Sequence, residues 1–88
     1  MKDIVWENYE IHNAAGTFFV VNISQQGNVF EKPLEVNEFG ALVCNYLKNG
    51  KTLEETAGLL SEEYEADFSE VKKDVELFYE SLLNGGLA

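Results

Sequence analysis

Arginine is absent from this 88-residue chain, and histidine, cysteine, proline, methionine and tryptophan each occur once. Each scarcity removes a class of function. Six lysines face sixteen acidic residues, for a formal net charge of −10. Nucleic-acid affinity draws on basic side chains that displace counterions from phosphates, so this surface repels DNA and RNA. An anionic membrane is disfavoured for the same reason. The lone Cys44 has no partner for an internal disulfide, and without a Cys pair or a His cluster there is no zinc-ligand set. No run of apolar residues approaches membrane-spanning length, and the opening "MKDIVWENYE" lacks the apolar core of a signal peptide. A cytoplasmic location is expected.

Catalytic chemistry is equally thin. His12 is the one imidazole and falls in an expected strand, while Cys44 falls on or beside the inner face of an expected helix, so no nucleophile and base pair forms. Glu54, Glu55, Glu62, Glu63 and Glu65 take solvated helix positions, with nothing to raise a pKa or to supply an opposing acid. The chain is expected not to be an enzyme and to carry no cofactor and no metal.

What is present is a compact domain's worth of apolar residues. The hydrophobic fraction is 45%, and no Ser/Pro/Gly-rich stretch marks a linker, so residues 1–88 read as one globular domain. The composition splits near Asn37. Before it lie three β-type runs, "YEIH" at 9–12, "TFFVVNI" at 17–23 and a weaker "NVFEKPLEV" at 28–36, separated by turn-like "NAAG" and "SQQG". They predict a three-stranded antiparallel meander. Phe18 and Val20 point to one face of the middle run and Phe19, Val21 and Ile23 to the other, so a second apolar face needs cover, from Ile4, Val5 and Trp6 or from a partner. Pro33 has no N–H for a ladder, which places the third run at a sheet edge or ends it there.

After Asn37 the pattern is helical. The "GKT" at 50–52 resembles the end of a phosphate-binding loop, but Asn45 stands where the first glycine belongs. Upstream, Phe39, Leu42, Val43, Tyr46 and Leu47 follow helical rather than strand spacing. Gly50 therefore ends a first helix capped by Asn37, and Thr52 opens a second with Glu55 completing a T-x-x-E capping box. That second helix, from Leu53 to about Tyr64, turns Leu53, Thr56, Ala57 and Leu60 inward. The third is capped by Asp67 and closes at Gly85, with an inner stripe of Val71, Val75, Phe78 and Leu82. Beside that stripe runs a second, Phe68, Lys72, Tyr79 and Leu83. Either the helix is wedged between two elements or this stripe lines a groove.

The stretch from "VNEFGALVCNYL" through "KNGKT", "EEY" and "VKKDVELF" to the terminal "LLNGGL", about residues 29 to 87, resembles the PqqD family. These are the small peptide chaperones of pyrroloquinoline quinone biosynthesis, with the related precursor-peptide recognition elements. Thr17 to Val21 match the family's second strand loosely, and Cys44 departs from the bulky aromatic that many relatives carry. The resemblance implies an α+β, winged-helix-like fold, a three-stranded antiparallel sheet followed by three helices. It also implies a function: binding the leader of a ribosomally made precursor peptide and presenting its core to a modifying enzyme, often a radical S-adenosylmethionine enzyme. In that family the leader adds as a strand to the third β-strand, beside the third helix. Carried onto this chain, Val29, Phe30 and Glu31 supply the strand edge, while Lys72, Val75, Tyr79 and Leu83 hold leader side chains, Val75 serving the core as well. Two other readings compete, a winged-helix DNA-binding regulator and a non-catalytic docking subunit. Against the first, "LEETAGLLSEEY" in the second helix carries no Lys or Arg.

Overall fold

The computed structural model describes residues 4–23 and 33–84. A single 3-10 turn at Trp6–Asn8 leads into strands β1 (Tyr9–Ala14), β2 (Thr17–Asn22) and β3 (Leu34–Val36). Helices α1 (Glu38–Lys48), α2 (Leu53–Glu63) and α3 (Phe68–Asn84) follow. The sheet is antiparallel in the order β1-β2-β3. It is the expected meander, although β3 starts only after Pro33, and Val29, Phe30 and Glu31 lie outside the described residues.

The first hairpin turns on Ala15 and Gly16, both at positive φ, 54° and 84°. That pair of angles belongs to the two-residue type I′ connection, whose twist matches the flanking strands. An L-alanine in this region costs about 1 kcal/mol through the clash of its Cβ. Ala15→Asn is expected to raise stability by about 0.5–1 kcal/mol, read as an upward shift of the thermal midpoint, because asparagine tolerates the left-handed region that alanine resists.

Helix boundaries follow the caps. The Asn37 side chain accepts from the Gly40 N–H at 2.8 Å. At the second start, Thr52 Oγ1 accepts from the Glu55 N–H at 3.0 Å while Glu55 Oε1 accepts from the Thr52 N–H at 2.9 Å. The Thr52 hydrogen bonds hold the Glu55 carboxyl below its ordinary range. Between these helices Gly50 sits at φ 92°, and the Gly50 and Lys51 amides donate to the Leu47 and Tyr46 carbonyls that α1 leaves open. This closes the question raised by "GKT": the segment is the end of one helix and the cap of the next.

Two clusters form the core. Val43, Leu47, Ala57, Leu60, Val71 and Val75 lie among the helices, and Ile4, Tyr9, Val20, Cys44 and Leu82 lie between helices and sheet. Trp6, Phe78 and Tyr79 pack against both. Ile4 is buried on the helical side with Val20, and Val5 is exposed, so the N-terminal segment does not cover the far face of β2 as the sequence had allowed. Phe19 and Val21 are half-buried there and Ile23 is exposed. Burial pushes the Cys44 thiol up to about 12, which keeps it neutral and unreactive at physiological pH.

Candidate functional site

Among the described residues β3 is an edge strand, paired on one side only through Phe18↔Val36, Phe19↔Glu35 and Val20↔Leu34. The pairing on the other side of β2 tells which backbone groups of β3 are free. The Ile23 N–H donates to the Asn8 carbonyl at 2.8 Å, in continuation of the β1 and β2 register. Hydrogen-bonded and non-bonded positions alternate along an antiparallel pair. The odd-numbered residues of β2 therefore address β1, and Phe18 and Val20 address β3. Leu34 and Val36 use their backbone groups on β2, and Glu35 turns its N–H and C=O outward. Side chains alternate in the opposite sense: Leu34 and Val36 share the helix-facing side with Val20, and Glu35 points to the far face with Phe19.

Helix α3 has two flanks of different character. Viewed down its axis at about 100° per residue, Phe78 lies on one side of the buried line Val71, Val75 and Leu82, and Lys72, Tyr79 and Leu83 lie on the other. A Cβ at Gly40 would stand 2.7 Å from Cε1 and Cζ of Phe78 and 3.2 Å from Cβ of Val36. The Phe78 ring therefore rests on the bare backbone of α1 directly beside β3. The ring is half-buried, and on β3 Leu34 is exposed. Tyr79 faces elsewhere, into a cleft of about 470 Å³ lined by Ile4, Trp6, Leu47, Leu53 and the loop from Gly50 to Thr52.

The residues singled out from the sequence thus divide three ways. Val29, Phe30 and Glu31 lie outside the described residues. Val75 is fully buried at 0% exposure within the helical cluster, so of its two expected roles the core one is seen here. Lys72, Tyr79 and Leu83 share one flank of α3 and are half-buried; Tyr79 lines the cleft with Ile4 and Trp6, and Leu83 packs against the cluster of Ile4, Tyr9 and Val20. Phe78 and Leu34, which the sequence pattern did not single out for a groove, are the side chains beside the open edge. One signal for Phe78 was present. A glycine inside the first turns of α1 is costly unless something packs on it, and Gly40 makes room for that ring.

Among the described residues, the charges around the edge are acidic. Glu35 lies on the strand and Glu38 in the first turn of α1, while Asp74 shares the Phe78 flank of α3 one turn earlier. On the far sheet face His12 Nε2 meets Glu10 Oε1 at 3.0 Å. No group of three or more potential metal ligands occurs among the described residues. None of their helices is long and apolar enough to cross a membrane.

Compared with known proteins, residues 19–88 match the family model described as coenzyme PQQ synthesis protein D (PqqD). No curated protein matches the sequence. Among solved structures the fold is similar to that of TbiB1 in complex with the TbiA(beta) leader peptide. The TM-score is 0.74 at 19% identity, over 98% of this chain and 93% of that one. At that identity the likeness speaks for the fold, three antiparallel strands followed by three helices.

Proposed function

Starting from the fact that the chain belongs to the PqqD family, we propose that it binds the leader of a ribosomally made precursor peptide by strand addition to β3 and holds that peptide for a modifying enzyme. The observation that carries the reading is the open edge of β3 with Phe78 beside it, in a fold shared with a protein solved with a leader peptide bound. In strand addition the backbone supplies much of the affinity and alternate side chains supply the choice of partner.

The edge specifies what it prefers. The leader residue opposite Glu35 exchanges both backbone hydrogen bonds with it and points its side chain to the same far face, where a lysine or arginine suits the carboxylate. Its two neighbours point inward, onto Leu34, Val36 and the exposed part of Phe78, and are apolar. The preferred segment is apolar, basic, apolar. A chain at −10 also attracts a basic leader at a distance, with an association rate that falls as salt is added.

The chain's part is binding rather than catalysis: its one thiol is buried and its one imidazole is exposed and bonded to a glutamate. The chemistry then belongs to the enzyme it serves, with a radical S-adenosylmethionine enzyme as first candidate, in the cytoplasm. Calorimetry with the leader encoded beside this gene tests the reading. Removing the core of the precursor is expected to leave affinity nearly unchanged, and replacing the basic residue opposite Glu35 by glutamate is expected to weaken it about fivefold. A leader that loses as much affinity with its core removed argues against the proposal.

A further inference from the structure

The cleft on the other flank of α3 has a composition unlike the rest of the molecule. Ile4, Trp6, Leu47, Leu53 and Tyr79 give it apolar walls, and among the described residues the one charged side chain in its lining is Lys51, whose other side meets Glu55 and Glu62. It is an open cleft of about 470 Å³. Its frame is fixed before anything binds. The Lys48 ammonium donates to the Trp6 carbonyl at 3.1 Å and to the Tyr9 carbonyl, which ties the N-terminal wall to α1. The opposite wall is set by the left-handed Gly50 and the capping box at Thr52, and a Cβ at Gly50 would meet nothing within 4 Å.

We propose that this cleft is a second binding site, which takes an apolar side chain flanked by a carboxylate from the surface of the modifying enzyme. Apolar walls select the anchor, and Lys51 selects the neighbouring charge. The occupant is distinct from the leader because a leader on β3 lies against the Phe78 flank, with the body of α3, about 10 Å across, between the two sites. An adapter needs two such separate surfaces, one for the peptide and one for the enzyme. The identity of the partner rests on the leader-binding reading, whereas the chemistry of the cleft does not.

Trp6 is the only tryptophan and lines this cleft, so its fluorescence reports binding there. The probes are an acetylated, amidated tetrapeptide Gly-Glu-Phe-Gly and its counterpart with glutamine for glutamate. The glutamate probe is expected to shift Trp6 emission saturably at millimolar concentration and to bind about fivefold more tightly than the glutamine probe. Lys51→Gln, an exposed change that leaves the core intact, is expected to erase that difference. It is also expected to weaken association with the enzyme encoded beside this gene while leader affinity stays unchanged. An unresponsive Trp6, equal affinity for the two probes, or enzyme association indifferent to Lys51→Gln overturns the proposal. So does displacement of the probe by saturating leader, which would give the cleft to the leader, or by raised protein concentration, which would give it to a second copy. Failure of leader calorimetry alone strikes the leader reading and leaves the cleft standing.

Discussion

A proline scan through the leader is expected to produce a sawtooth, with affinity falling roughly ten- to a hundredfold at the residue facing Glu35 and much less at its immediate neighbours. The reason is the alternation of the β3 edge. Among the described residues of β3, Glu35 turns its N–H and C=O outward, since Leu34 and Val36 spend theirs on β2. Proline opposite Glu35 has no N–H to give, and it leaves the Glu35 carbonyl unpaired beneath bound peptide, a loss of about 1–3 kcal/mol. Neighbouring positions point their amides to solvent and lose little. Calorimetry on the series reads the pattern directly. A uniform loss, or none, would mean that the leader does not run as a strand along β3.

The second large effect is structural. Leu82→Ala is expected to cost about 2–5 kcal/mol, a large part of the stability of a domain this size, because Leu82 is 1% exposed and joins α3 to Ile4, Tyr9, Val20 and Cys44. Its neighbours on either flank should respond differently. Phe78→Ala is expected to cost less than Leu82→Ala, since its ring is only half-buried, and to weaken leader binding as well. Tyr79→Ala is expected to leave leader affinity near that of the parent chain, because its ring faces the other cleft. Thermal melts and leader titrations on the three variants test this. If Tyr79→Ala weakens the leader and Phe78→Ala does not, the two flanks have been assigned in reverse.

The contrast between these two adjacent residues shows where reading the sequence stops. Caps are local chemistry, so Asn37, Thr52 with Glu55, Gly50 and Asp67 marked the helix ends closely. The buried line of α3 was legible too, in the spacing of Val71, Val75 and Leu82. Which flank of that line faces the sheet was not, because a period of 3.6 residues defines a stripe but not the neighbour on each side of it. That is decided by how α3 crosses α1, and hence by a contact between Gly40 and Phe78 that are 38 positions apart. The edge was legible in kind, through Pro33. Of the run from 28 to 36 that reads as one strand by composition, Leu34–Val36 forms β3, and residues 28–32 lie outside the described residues.

The makeup of this edge bears on whether copies of the chain pair with one another. An open strand edge is a template for the same edge on another copy, and stacking of this kind builds fibrils when six or seven residues pair in register. Here Pro33 has no N–H to offer an incoming strand, and at the other end of β3 the Asn37 side chain is committed to capping α1. Two copies meeting edge to edge would also bring their Glu35 carboxylates together. A peptide with a basic residue opposite Glu35 meets attraction where a second copy of the chain meets repulsion.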